Sequence, residues 1–326
     1  MTVDLVADET VGVGERPIKV AVIGAGHVGE HHARLYRELP GADLVAVCDT
    51  DAARAAAIAA RVGTEAATDF RGLLGKVEAV SVAVPTVHHH TVARAFLEAG
   101  ADVLVEKPIA QNLEEAEALV ATARQAGRIL QVGHVERFNG GVRALHALVR
   151  EPGFIECHRL GPFAGRGTDV DVVRDLMIHD IDIILSLVRS PVVQVQAVGV
   201  PVISERVDIA NARLQFASGC IANVTASRVS VERLRKLRIF QRDTYLALDY
   251  ATQEVTCYRR LLPPPGAPVT ELPRIVRAEV AVDKAEPLRL ELESFLAAVR
   301  TRTRPVVSGE EALEALRVAD QILAKI

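Results

Sequence analysis

The sequence predicts two domains in series: an α/β domain on a parallel sheet, then an α+β domain with a large, mostly antiparallel sheet. Three observations predict it. Between residues 17 and 134, short apolar runs alternate with helical patterns, the rhythm of a parallel sheet with crossover helices. From about residue 135 onward that alternation gives way to successive strand-like runs separated by short turns, which imply antiparallel pairing. The length, 326 residues, is long for one core and suits two domains of about 150 residues each.

The elements follow in order. Residues 1–16 mix glycine, acids and small apolar residues without a period and read as a loose tail. IKVAVI (18–23) is a short β-branched run of the kind a buried parallel strand needs. It leads into GAGHVG and the helical pattern EHHARLYREL, and a second strand, DLVAVCD, ends at Asp49. Helix AARAAAIAARV, a short helix around Leu73, strand AVSVAVP, helix HHTVARAFLEAG, strand DVLVEKP, helix NLEEAEALVATARQAG and strand RILQVGH continue the alternation to His134. The second domain, 135–326, opens with one amphipathic helix, 172–188. Six strand runs follow: VVQVQAVGV, VDIANARLQF, CIANVTASRV, LRKLRIFQ, TYLALDY and EVTCYRR. LPPPGAP is a loop, and two helices close the chain, the last with Ser308 as its N-cap.

Composition excludes several function classes. Hydrophobic residues are 49% and charged residues 25%, ordinary globular usage rather than disorder. The formal charge, −4, argues against nucleic acid as a partner, because phosphate neutralisation needs a basic surface. No apolar run is long enough for a membrane helix, and acids stand at the start where a secretory signal would carry positive charge. The four cysteines lie far apart with no CxxC, so neither zinc nor a disulfide framework is expected. The expected protein is cytoplasmic, with no membrane partner.

The GAGHVG segment, after a strand and before a helix, has the G-x-G-x-x-G spacing of a Rossmann dinucleotide site. Gly24 serves the tight turn, Gly26 lets the backbone approach a pyrophosphate, and Gly29 lets helix and strand pack closely. His27 and Val28 stand between them at the helix start, beside the expected phosphates. Asp49, about 20 residues on, would accept both ribose hydroxyls. With Asp51 adding charge and no cation before Arg54, NAD is favoured over NADP. Ligands in such sheets sit at strand carboxyl ends, which directs attention to Pro85-Thr86, Glu106-Lys107-Pro108 and His134.

In the second domain, RDLMIHDID places Asp175, His179 and Asp182 at i, i+4 and i+7, one face of a helix. That row is either aimed into a cleft or a solvated face. The triplet His88–His90 does not suggest a metal, since consecutive helical side chains diverge and no other ligand cluster joins them. The run Arg233–Arg238 is either a pyrophosphate contact or a set of strand-edge charges.

Together GAGHVG with Asp49, VEKPIA (105–110) and the D-x-x-x-H of Asp175 and His179 resemble the Gfo/Idh/MocA oxidoreductases, from Ile18 to the end. The resemblance implies a Rossmann domain joined to an open-faced sheet domain, and oxidation of secondary alcohols of sugars or polyols. It makes Lys107 the catalytic lysine, often before a cis proline, with Asp175 and His179 as its acid and histidine. It also puts His88 and Glu106 beside the cofactor. GHVERFN (133–139), GRGTDV (165–170) and DLMIHDID resemble the branch acting on nucleotide-linked sugars, UDP-N-acetylglucosamine 3-dehydrogenases above all. Polyol dehydrogenases usually carry Gly-Gly before the aspartate, where this chain has Val-Val-Arg. A sugar nucleotide brings a pyrophosphate, for which Arg137, Arg166 and Arg228 are the candidate contacts. The alternatives are an inositol-type or free-sugar dehydrogenase, or an NAD(H)-binding regulator without catalysis. The apolar strands between about 192 and 260, with helices on one side only, predict a homodimer or homotetramer through the C-terminal sheet.

Overall fold

The computed structural model describes residues 16–163, 170–263 and 273–326. The expected tail, the loop holding Arg166 and most of LPPPGAP lie outside them. The first sheet comprises β1 (Ile18–Ile23), β2 (Ala42–Cys48), β3 (Glu65–Ala67), β4 (Ala79–Val82), β5 (Asp102–Glu106) and β6 (Leu130–Gly133). Its crossovers are α1 (His27–Glu38), α2 (Ala52–Val62), α3 (His89–Glu98) and α4 (Leu113–Ala126). All its pairings are parallel, in the order β3-β2-β1-β4-β5-β6. β4 is buried along its whole length, as a strand covered on both faces must be, which is why it reads as apolar but for Ser81, whose hydroxyl pairs with that of Tyr36. Asp51 caps α2 through the N–H groups of Ala53 and Arg54, and Asn112 caps α4 through that of Glu115. The chain reverses direction across the sheet between β1 and β4, so the crevice above those strands is the natural ligand site.

The second part contains α5 (Gly140–Leu148), β7 (Phe154–Leu160), α6 (Ile178–Val188) and the strands β8 (Val192–Val200), β9 (Ile209–Phe216), β10 (Ile221–Ser227), β11 (Leu234–Phe240), β12 (Thr244–Asp249), β13 (Glu254–Leu261) and β14 (Arg274–Ala278). Its sheet runs β14-β13-β12-β11-β7-β10-β9-β8, antiparallel except for β7 with β10. The fold class is as read from the sequence. Four elements were missed: β3, α5, β7 and β14. The important one is β7, FIECHRL, whose inward positions are Ile155, Cys157 and the charged Arg159. A core position filled by arginine hides the period-two signal. β11 is also an interior strand, flanked by β7 and β12, so its cations do not guard an edge.

The chain then returns to the first sheet. α7 (Pro287–Thr301) brings Leu292, Phe295, Leu296 and Val299 against Val20, Val22, Leu35 and Tyr36. α8 (Gly309–Leu323) packs on α4 and α6, after Ser308 bridges to Gln131 of β6. Ser308 and Glu311 form a reciprocal capping box at its start. The final helices therefore cover the parallel sheet as well as joining the second one. Among the described residues no helix is long and apolar enough to cross a membrane.

Candidate active site

The turn after β1 is built for an anion. Gly24 has φ +101° and sits so near the β4 end that a Cβ would come 2.4 Å from the Ala83 carbonyl oxygen. At Gly29 a Cβ would stand 1.8 Å from the Gly24 oxygen, so only glycine lets α1 pack on this turn. Gly26 opens onto free space and caps α1 without any side chain, which leaves the first amides of the helix for a ligand. His27 and Val28 are exposed at the same lip. Asp49, just past β2, accepts the Ala25 N–H at 2.8 Å and the Asp51 N–H at 2.9 Å, tying the ribose end of the crevice to the phosphate turn. Arg54 lies 3.5 Å from Asp49 and 3.1 Å from Asp51. The residues fit a dinucleotide: amides for the pyrophosphate and a carboxylate for the ribose.

Beyond β4, Pro85 and Thr86 open a short 3₁₀ turn that ends at His88, which is exposed. Its neighbour His89, a member of the triplet, has no role in the sequence reading beyond the metal it does not suggest. It is buried, with Nδ1 2.8 Å from the Pro108 oxygen and Nε2 2.9 Å from the Val84 oxygen, a strut between two strand-end loops. Lys107 follows β5, and the Lys107-Pro108 peptide is cis. Its ammonium donates to the Asp175 backbone oxygen at 2.7 Å and to Asp175 Oδ1 at 3.2 Å. Lysine from the first domain and aspartate from the second thus meet across the cleft.

The expected helix 172–188 is really a π-helical turn, Val173–Met177, running into α6. The Asp175–His179–Asp182 row consequently does not act as one face. Asp175 is in the cleft with Lys107. Asp182 is in the core, where Arg137 donates to it at 2.7 and 3.3 Å. His179 lies between them, its Nδ1 buried and without a partner among the described residues, its ring 6.3 Å from that of His134. Burial first, then the charges of Lys107, Arg159 and others including Arg235, push the His179 pKa well below its ordinary value. It is a neutral imidazole, able to accept a proton.

The arginines sort differently from the sequence reading. Arg137 is buried against Asp182 and Glu311. Arg228 is buried too, donating to Asp208, to the Val170 oxygen and to Ser204. Both are committed to internal partners, because a guanidinium inside a core must be paired; neither is presented to the cleft as expected. Arg228 helps Asp208 hold the β8–β9 loop, whose Val202, Ile203 and Ser204 N–H groups all donate to Asp208 Oδ2. That loop sets the exposed Arg206 at the rim of a cavity of about 390 Å³, with Thr86, Pro108, Gln111 and Arg174 on its walls. Arg174 is turned aside by Asp320 at 2.7 Å. Within the 233–238 run, Arg238 pairs with Glu156, whereas Arg235 is exposed and near enough to His179 to depress it. Arg206 and Arg235 have no ion-pair partner among the described residues, and no sequence signal separated Arg206 from other surface arginines.

A glycine turn open to an anion, together with a lysine, a carboxylate and a neutral histidine at the cleft, fits a nicotinamide-dependent oxidoreductase of alcohols. Residues 18–134 match the oxidoreductase family model with an NAD-binding Rossmann fold, and 137–244 match the GFO/IDH/MocA C-terminal domain. The chain belongs to the Gfo/Idh/MocA family, and its first domain is the NAD-binding one. It is 37% identical over 304 residues to UDP-N-acetylglucosamine 3-dehydrogenase of Acidithiobacillus ferrooxidans, covering 91% of this chain and 95% of the relative. The solved structure of that enzyme superposes with a TM-score of 0.87 at 34% identity, over 96% of this chain and 98% of the other. Inositol 2-dehydrogenase 2 of Paenarthrobacter aurescens is 37% identical over 193 residues, 55% of this chain and 58% of the relative.

Proposed function

We propose that this enzyme uses NAD to oxidise a secondary hydroxyl of a sugar nucleotide, with C3 of UDP-N-acetylglucosamine as the first candidate. The observation that carries the chemistry is the Lys107–Asp175 contact beside the neutral His179. The substrate class is supported by end-to-end similarity to an enzyme named for that reaction. Similarity to the inositol enzyme stops at about half of each chain.

NAD, when bound, supplies the hydride acceptor. The chain supplies the rest. His179, uncharged, takes the hydroxyl proton as the carbon is oxidised. Lys107 donates a hydrogen bond to the same oxygen and stabilises the charge that develops there. Asp175 holds the ammonium in place. The substrate pyrophosphate is met by Arg235 or Arg206, two exposed cations without an ion-pair partner among the described residues. A catalytically silent NAD(H) sensor would need the phosphate turn and Asp49 but not this lysine, acid and histidine.

The open face of the second sheet carries an aromatic row, Phe154, Phe240, Tyr245 and Tyr258, with successive ring separations of 5.7, 5.0 and 6.3 Å. Val198, Val200 and Ile275 are exposed apolar residues on the same sheet. We take this as the self-association surface of a homodimer or homotetramer. Four buried, unpaired cysteines suit a reducing cytoplasm. The deciding experiment is a substrate panel with NAD, followed at the reduced-nicotinamide absorbance. UDP-N-acetylglucosamine should be turned over and UDP should compete with it. Brisk oxidation of free inositol without inhibition by UDP would favour the polyol reading instead.

A further inference from the structure

Under the cofactor crevice lies a group of titratable side chains that the mechanism above does not use. Glu106 ends β5, immediately before Lys107, and its carboxylate lies over Gly133, where a Cβ would stand 2.8 Å from Oε1. From α1, fully buried His32 brings Nε2 to 3.1 Å of Glu106 Oε1. From α7, fully buried Glu291 completes the group, one ligating atom of each residue lying within 4.8 Å of the others. Neither nitrogen of His32 and neither carboxylate oxygen of Glu291 has a hydrogen-bond partner among the described residues. A fully buried carboxylate this close to the half-buried one of Glu106 is disfavoured in its charged form without a cation. Burial, and then the Glu106 charge, raise the Glu291 pKa well above its ordinary value. Glu291 therefore holds its proton to higher pH than an ordinary carboxyl. The polar groups grouped with it, within 4.8 Å, are Glu106 and His32.

We propose that Glu291 and His32 are positioning residues, a proton-sharing clamp that grips the Glu106 carboxylate and so fixes the strand end presenting Lys107. Each partner comes from a different element. α1 begins at the phosphate turn, β5 ends at the catalytic lysine, and α7 is the last helix but one. The clamp ties all three beneath the cofactor. The other groups facing Glu291 are Tyr36 of α1, whose hydroxyl is engaged by Ser81 at 2.8 Å, and Gln131 of β6, whose amide donates to the Glu291 backbone oxygen at 3.1 Å. When pH rises through the raised Glu291 value, the proton is lost. A second negative charge then appears beside Glu106, under a site built for an anionic cofactor.

The test is NAD affinity by titration calorimetry across pH, a readout that needs no substrate and so stands or falls apart from the choice of sugar. In the wild-type protein the Kd for NAD should weaken by about tenfold toward alkaline pH, the change that one unit of coupling gives. In Glu291→Gln, which keeps the shape and a donor but cannot ionise, that alkaline limb should be absent and affinity at neutral pH retained. Glu291→Ala and His32→Ala should lower kcat about tenfold or more, as displaced catalytic groups do, and Glu291→Gln should largely restore it. An alkaline limb unchanged in Glu291→Gln would overturn the proposal. So would a glutamine variant as impaired as the alanine one. Stoichiometric divalent metal in the purified protein would overturn it too, since a cation would then replace the shared proton.

Discussion

Replacing Lys107 with methionine separates chemistry from stability. The ammonium is about one-fifth exposed and makes two contacts, both to Asp175, which is itself 37% exposed. Buried, such a charged hydrogen bond would stabilise the fold by about 1.5–3 kcal/mol, but solvent reaching Asp175 screens it to about 1 kcal/mol or less. For a chain of this size that is about 2 °C in Tm. The catalytic loss is of another order. A donor aimed at the reacting oxygen acts where charge develops, and its removal costs about 2.7–4 kcal/mol, or 10²–10³ in kcat. Lys107→Met should therefore lose kcat by about that factor and melt within a few degrees of wild type. NAD should still bind it. Steady-state rates, scanning calorimetry and NAD titration on one preparation settle the matter. A variant with kcat within about threefold of wild type would refute the assignment of Lys107, and one that fails to fold would refute the structural half of the reasoning.

Asp49→Ala removes the carboxylate proposed to meet the ribose while leaving Arg54 beside the site; the NAD-over-NADP ratio of kcat/KM should fall about tenfold, the worth of one charged hydrogen bond. Arg235→Ala and Arg206→Ala, made separately, should show which cation meets the substrate phosphates, by raising KM for the UDP-sugar about tenfold while kcat changes less. If neither moves KM, the pyrophosphate lies elsewhere. Tyr258→Asp puts a charge in the aromatic row and should yield a smaller species by light scattering than the wild-type oligomer; a wild-type monomer would sink the interface itself. His89, His134, His146 and His179 all have pKa values lowered, with burial the first cause in each. The unfolded chain binds protons at these sites that the fold excludes, so their stability contribution is complete above about pH 6.5 and is lost as pH falls through the depressed folded values. Tm should hold steady above neutrality and decline below it, and a Tm flat down to about pH 5 would contradict the burial of these rings.

What the sequence made legible, it made legible through local rules. GAGHVG between a strand and a helix, the mostly apolar strands and the cap at Ser308 each depend on a few adjacent residues, and the structure has each of them in place. The misreadings share the opposite cause. Arg137 and Arg228 looked free because their partners, Asp182 and Asp208, are 45 and 20 residues away. Glu291 gave no signal at all, being 185 residues from Glu106 by number (291 − 106) and on a helix assigned to the other domain. β7 was lost because Arg159 replaces an apolar residue where Asp180 can pair with it. Pattern reading prices each position by its neighbours in sequence, and long-range charge pairing lies outside that reach.

That pairing explains how α6 can present His179 at all. The helix is almost entirely buried, yet it carries Asp180 and Asp182 inside the core. Arg159 of β7 grips Asp180 at 2.8 and 2.9 Å and lies over the Tyr250 ring at 5.0 Å, while Arg137, just past β6, grips Asp182 from the other side. Removing one member of such a pair strands a buried charge at a cost of about 3–5 kcal/mol. Turning the helix by one residue, about 100°, would strand both aspartates at once. An apolar helix could settle in neighbouring rotations for little cost; this one cannot. Its two charge pairs admit a single rotation, and in that rotation His179 stands at the cleft. The π turn before it then absorbs the mismatch, widening the backbone so that Asp175, four residues earlier, reaches Lys107. The buried charges therefore contribute geometry more than stability, which is what a helix presenting the proposed catalytic histidine requires of them.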